Sequence, residues 1–380
     1  MLQRFDVRSR VAALTILAAL ALAAAVGATA TAAPTAQADM KAARALIAKY
    51  QKVPKFVAPG PAFDAKKLMA GKKVMIIPVT SQIPITQVIT ASMTKQAKRL
   101  GFTFTNWQNQ GKADQWIAGI NQAIAQNYDV VDLLAIPPEV LKPQIDQARK
   151  AGVKVISSHF AGFGWKVPSY IDGAVRLPYY EVGQILAAWA IVQTNGKANA
   201  LAVVANDLIS SADVIKGMKD EFRRDCTGCK LEIVDVPTVE WAKSVQGEVQ
   251  SALLRNPNIN YLLPIYDAMT PFVTAALRTS GKAGTVQQAS FNGTPFVLKS
   301  VKTGDVQMVI GENEDWIARA MLDADMRAAA GLKVLANHYK GAPLYIFTKS
   351  NVARAGSPPD PAKGYGNAYS PGFDKLWGIR

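Results

Sequence analysis

The chain has 380 residues, 49% hydrophobic and 19% charged, with 2 cysteines, 2 histidines and a formal net charge of +15. A single core stops growing at roughly 250–300 residues, so this length predicts two lobes rather than one. The composition excludes a disordered chain, a disulfide-dense scaffold and a Cys/His zinc module, and leaves a large α/β or α+β protein.

Arg4, Arg8 and Arg10 precede an apolar run over 11–26 that only Thr15 interrupts. Small-x-small sites follow at Ala28-Thr29-Ala30 and Ala36-Gln37-Ala38. This pattern predicts a secretory signal peptide over 1–38, cut after Ala30 or Ala38. The run is short for a spanning helix. Ser9 separates Arg8 from Arg10, so there is no twin-arginine pair, and export of the unfolded chain is expected. Loss of the segment removes three Arg and one Asp, which lowers the net charge from +15 to +13 over the 342 residues that remain. Their Lys and Arg form no block longer than a pair, so neither a nucleic-acid stripe nor a polybasic membrane patch is predicted. Neither cysteine lies near the cleavage sites, which excludes lipid attachment there. The expected product is an unlipidated, monomeric periplasmic protein.

Residues 39–72 carry a short helical pattern and then a Pro-rich stretch, and read as an extension laid on a surface. From Lys73 the chain alternates. The apolar run over 73–80 predicts a buried strand, and Ile85, Val88, Ile89, Met93, Ala97 and Leu100 predict the amphipathic helix after it. Strands at 102–106, 130–136 and 153–158 repeat the unit, with helices about Trp116 to Ile124 and Val140 to Ala148. A loop with Phe160, Phe163 and Trp165 and a short strand ending near Ile171 separate this half from a second. There, helices at about 180–193, 213–224, 242–254 and 268–279 alternate with strands at 200–205, 231–236 and 261–264 and one ending at Phe291. A short helix near 295–301, a strand at 306–310 and a long helix at 316–330 complete it, and residues 356–380 form a Pro-, Gly- and Tyr-rich tail. Continuous apolar strands joined by helices predict two doubly wound, Rossmann-like parallel lobes. Cys226 and Cys229, three apart in a turn, are expected to close a small disulfide ring in an oxidising compartment.

Motifs of catalysis are missing: the sequence has no GxSxG, no Walker loop, no GxGxxG and no HExxH. His159 and His338 are its only imidazoles, so a metal site lacks ligands, and no cofactor is expected. What remains is a set of short motifs: Val79-Thr80-Ser81 after the first strand, Ala151-Gly152-Val153-Lys154-Val155-Ile156, Ile265-Tyr266-Asp267-Ala268-Met269, and Ser290-Phe291-Asn292-Gly293-Thr294-Pro295. In order and spacing over about 73–349 they resemble the ribose- and galactose-type periplasmic solute-binding proteins of ABC importers, of type I fold.

The resemblance implies a two-lobe clamp joined by a three-strand hinge, with crossings near Asp172, Glu312 and Ala342. The N-lobe is then 73–172 plus 312–341, and the C-lobe 173–311 plus 342–380 with the tail. It implies a ligand site of Gln82, Ile85, His159, Phe160, Asp213, Trp241, Tyr266, Asn292 and Glu312. Trp241 keeps the stacking aromatic of the C-lobe. Where sugar binders of this family place Asp and Arg, the chain has His159 and Phe160, and Asn292 and Glu312 replace an Asp and a Gln. Those replacements remove the charge-assisted bonds that fix an ordinary pyranose or furanose. The implied function is capture of a small ring-shaped, hydroxylated, sugar-like or related ligand and its delivery to a membrane permease, without catalysis. The alternative is a periplasmic sensor whose closed form engages a receptor or sensor kinase. A repressor of the same fold would need an N-terminal DNA-binding module where the export signal stands, and Asp267 reads as a helix cap.

Overall fold

The computed structural model describes residues 39–334 and 343–379. The expected signal segment over 1–38, the crossing at Ala342, and His338 lie outside the described residues. Helix α1 (Met40–Tyr50) begins at Asp39, whose carboxylate accepts from the N–H groups of Lys41 and Ala42 at 3.1 and 2.9 Å. That side-chain acceptor satisfies N–H groups which have no partner within the helix. The short helix α2 (Ala65–Leu68) follows.

The first lobe runs through β1 (Lys73–Pro78), α3 (Pro84–Leu100), β2 (Thr103–Asn106), α4 (Ala113–Ala125), β3 (Val130–Leu134), α5 (Lys142–Lys150), β4 (Lys154–Gly162) and β5 (Gly173–Leu177). Its sheet has the order β2-β1-β3-β4-β5, parallel throughout. Every residue of β3 is buried and all of β1 but Lys73, which is why neither strand alternates apolar with polar and Asp132 is the one polar residue of β3. Pro143 falls in the first turn of α5, where a missing N–H costs no intrahelical bond.

The second lobe contains α6 (Tyr179–Gln193), β6 (Asn199–Val204), α7 (Ser210–Asp225), β7 (Lys230–Asp235), α8 (Trp241–Arg255), β8 (Tyr261–Pro264), α9 (Thr270–Thr279), β9 (Gln287–Asn292), α10 (Pro295–Thr303) and β10 (Met308–Gly311). The chain then returns to the first lobe as α11 (Glu314–Ala329), packed on α3 and on the face of β3, β4 and β5. It rejoins the second sheet as β11 (Tyr345–Thr348), antiparallel to β10, giving the order β11-β10-β9-β8-β6-β7. Cys226 and Cys229 form a disulfide in the turn between α7 and β7.

One expected crossing moves. The chain does not leave the first lobe at Asp172, because Gly173–Leu177 pairs in parallel with β4 as its edge strand. The crossing falls after Leu177. Asp172 instead accepts from the Val155 N–H at 2.9 Å and faces Arg149 and Lys154, at the start of β4.

The terminal segments span both lobes. Helix α1 buries Ala43 and Ile47 against α6 and α7 of the second lobe, whereas Phe56, a few residues on, packs against Trp316 of α11. At the other end Tyr365 packs on Tyr345 and Phe347 of the second sheet. Four residues later Tyr369 stacks on Trp316 at 5.0 Å and opens α12 (Tyr369–Leu376). Asp374 of α12 takes both guanidinium nitrogens of Arg99 at 2.7 Å, and Trp377 donates to Asp323 at 3.0 Å. The tail thus seats its last turn on the first lobe, not on the second where it was expected.

A pair of carboxyls lies inside the first lobe. Asp132 on β3 and Asp325 on α11 are both fully buried. Burial raises Asp132 to about 7, although the hydroxyl of Ser158 donates to it at 2.9 Å. Burial and the neighbouring Asp132 push Asp325 well above the usual carboxylate range. Two such groups cannot both ionise at low cost without a counter-ion, so one proton stays with the pair.

Candidate functional site

In a parallel sheet the carboxyl ends of the strands lie on one edge, where the loops to the following helices gather side chains from distant parts of the chain. Loops of both lobes line one narrow cleft, with a cavity volume of about 40 Å³. The first lobe supplies Val79, Ile83, Ile85, Leu134, His159 and Phe160. From the second come Ile209, Ser210, Trp241, Tyr266, Asp267 and Asn292.

Local backbone irregularities aim several of these groups. The register of β4 against β5 slips between Ser158 and Gly162, and His159 takes a φ of +53°. A regular strand would send His159 and Phe160 to opposite faces, whereas the bulge brings both to the cleft. Asn292 has a φ of +113°, a conformation rare outside glycine. Gly162 has no Cβ because one would collide with the Asp213 carboxylate of the facing lobe.

The floor of the cleft is a hydrogen-bonded bridge. Glu312, fully buried at the second crossing, has one carboxylate oxygen 3.0 Å from His159 Nε2, and its other accepts from Asn292 Nδ2 at 2.7 Å. The first partner stands on β4 and the second on β9, so one side chain ties the lobes together. The Tyr179 hydroxyl lies 3.0 Å from both Nδ1 and the carbonyl oxygen of His159. Its one proton serves one of them at a time. Burial, and next the charge of Glu312, hold the Tyr179 phenol well above its ordinary value.

Beside the bridge, Asp267 accepts from the N–H groups of Gly293 and Thr294 at 3.1 and 2.9 Å and from the Thr294 hydroxyl at 2.7 Å. Burial raises its carboxyl to about 7 against those bonds, which favour the charge. Tyr266 is raised to about 12 by burial, and its hydroxyl meets Ser210 and Ser211 at 2.7 and 3.0 Å. Trp241 gives its indole N–H to the Val236 carbonyl at 3.0 Å and leans on the Tyr266 ring.

Of the residues named from the sequence, Ile85, His159, Phe160, Trp241, Tyr266 and Asn292 line this cleft together, and Glu312 lies under it. Gln82 lies further out, in an apolar mouth with Val239, Phe272 and Phe296. Asp213 does not line the cleft but presses on Gly162. Asp267, read as a cap, makes no bond to its own helix start and belongs to the cleft through the 293–294 loop. Tyr179 and Ser210 went unread, since their roles come from partners 20 and 56 residues away. Among the described residues no group of three or more His, Cys, Asp or Glu could hold a metal ion. No helix among them is long and apolar enough to cross a membrane.

Two doubly wound lobes with a shared, bridged cleft define a solute-binding clamp. The chain belongs to the periplasmic binding protein domain family, whose model matches residues 74–333. This is a family of solute-binding proteins rather than enzymes. Solved structures similar to it include a 5-methylthioribose transporter solute-binding protein from Thermotoga lettingae, 16% identical, covering 84% of this chain and 99% of that one, with a TM-score of 0.70. A glucose-galactose binding protein from Geobacillus stearothermophilus is 13% identical over 74% of this chain and 98% of its own, with a TM-score of 0.64. An ABC transporter solute-binding protein from Burkholderia graminis, in complex with D-arabinose, is 17% identical over 74% and 96%, also at 0.64. At these identities the likeness is one of fold. No curated protein sequence matches the chain.

Proposed function

We propose that this protein captures a small ring-shaped, hydroxylated, sugar-like or related ligand between its lobes and delivers it to the permease of an ABC importer. It acts in the periplasm as a monomer, after removal of residues 1–38, without lipid and without catalysing a reaction. The observation that carries this reading is the Glu312 bridge. One buried carboxylate reads the position of His159 on one lobe and of Asn292 on the other, directly beneath a cleft lined by both. A ligand seated on that floor contacts both lobes at once and favours the apposed arrangement over the open one. The neighbours from Thermotoga lettingae and Burkholderia graminis, reported with 5-methylthioribose and D-arabinose, support a sugar-like ligand.

Calorimetric titration of the purified chain with sugars and polyols, followed by small-angle scattering, tests this. Saturable binding with compaction is expected, and Trp241→Ala should abolish it while the melting curve stays cooperative. Intact affinity in that variant would remove Trp241 from the site. Binding of no member of the panel would remove the sugar-like assignment.

A further inference from the structure

The polar atoms of the cleft are mostly used up by the protein itself. The hydroxyls of Tyr179 and Tyr266 are tied to His159 and to Ser210 and Ser211, and the indole N–H of Trp241 goes to a backbone carbonyl. Thr86 gives its hydroxyl to the Thr80 carbonyl at 2.9 Å. Both oxygens of Glu312 and one of Asp267 are occupied. Among the side-chain oxygens of the described residues that line the cleft, Oδ1 of Asn292 and Oδ1 of Asp267 have no protein partner.

The rest of the enclosure is apolar. Ile83, Ile85 and Leu134 form one wall, Leu208, Ile209 and Ala268 stand opposite, and among the described residues neither the cleft nor its mouth is lined by a Lys or Arg. The mouth continues the apolar track outward past Pro84, Phe272 and Phe296 to Val239, which is 76% exposed. A sugar with hydroxyls on every edge would bury several of them against these walls unpaired, at about 1–3 kcal/mol each. An apolar group in the same place gains about 25 cal/mol per Å² removed from water. An anionic ligand would find no counter-charge.

We infer that the ligand is a neutral amphiphile: a ring whose one edge donates hydrogen bonds to Asn292 and Asp267, carrying an alkyl or aryl substituent that lies between Ile85, Leu134 and Trp241 and points out through the mouth. This rests on the reading that the cleft is the ligand site. The test uses two matched pairs on the full chain: D-glucose with phenyl β-D-glucopyranoside, and D-ribose with benzyl β-D-ribofuranoside. In at least one pair the substituted member is expected to bind about tenfold tighter or better, as burial of a phenyl ring implies. Val239→Asp, at an exposed site that leaves the fold intact, should weaken the substituted member more than the free sugar.

Equal or tighter binding of the free sugars overturns the inference, and so does failure of all four compounds at millimolar concentration. Equal weakening of both members by Val239→Asp also counts against it. Compaction of the protein in small-angle scattering by free D-glucose or D-ribose, at concentrations no higher than those their substituted partners need, would remove the amphiphile and keep the clamp. Absence of compaction with any compound that binds would remove the clamp itself.

Discussion

Glu312 offers a pair of substitutions with opposite expectations. In Glu312→Leu the acceptors for His159 and Asn292 vanish, and two buried donors are left unpaired. Each costs about 1–3 kcal/mol, so the variant should lose about 2–6 kcal/mol. At about 2 °C per kcal/mol for a chain of this size, the melting point falls by roughly 4–12 °C. In Glu312→Gln the amide oxygen still accepts from Asn292. Its NH₂ donates to His159 Nε2 once the imidazole moves its hydrogen to Nδ1, and that hydrogen goes to the oxygen of Tyr179, whose own proton goes to the His159 carbonyl. Every polar group keeps a partner, and the charge assistance alone is lost, about 1 kcal/mol. Differential scanning calorimetry of the three proteins separates the two cases. A Leu variant that melts with the unsubstituted protein would show that Glu312 does not bridge the lobes, and a Gln variant as unstable as the Leu variant is predicted to be would show that the imidazole cannot shift its hydrogen.

Three further outcomes follow from the packing. The folded value of Asp132, about 7, lies above its unfolded value of 3.8, so the contribution of the Asp132–Asp325 pair to stability is full below the unfolded value and is lost as pH rises through about 7. Asp325→Asn should therefore flatten the fall in melting point between pH 5 and pH 8, and an unchanged slope would deny the shared proton. Trp377→Ala removes a fully buried indole and should cost about 3–5 kcal/mol, whereas Arg99→Ala breaks a partly exposed ion pair with Asp374 and should cost about 1 kcal/mol or less. Urea unfolding compares them, and similar midpoints would mean that the tail is held by charge rather than by burial. Reduction of the Cys226–Cys229 ring, which closes a loop of only a few residues, should lower stability by no more than about 2 kcal/mol and leave ligand affinity unchanged, as calorimetry with and without reductant can establish.

The alternation of apolar runs and amphipathic helices was legible because strands buried on both faces are almost wholly apolar, as in 74–78 and in 130–134, where Asp132 alone is polar. Cleft residues inside the motifs that carry the family resemblance, such as Tyr266 and Asn292, were legible through that resemblance. Asp213 misled because an acid in the first turn of a helix reads the same whether it faces a ligand or, as here, a glycine on another lobe. Asp172 misled because the edge strand behind it, Gly-Ala-Val-Arg-Leu, is short and interrupted by Arg176, and its place in the sheet depends on pairing with β4 rather than on its own pattern. Tyr179 and Asp267 were illegible as site residues, since their bonds run to partners that only the folded chain brings near.

The family-matched span ends at residue 333, yet chain on both sides of it is anchored to both lobes. Residues 51–55 lead from α1 on the second lobe to Phe56 on the first, and residues 366–368 lead from Tyr365 on the second to Tyr369 on the first. These are tethers in parallel with the hinge, short enough that any rotation between the lobes loads them. Apparent affinity is the intrinsic affinity scaled by the fraction of molecules already in the binding-competent state. The two ends of the chain therefore set part of the clamp's sensitivity, and changes there can retune the concentration at which it fills without altering any residue of the cleft.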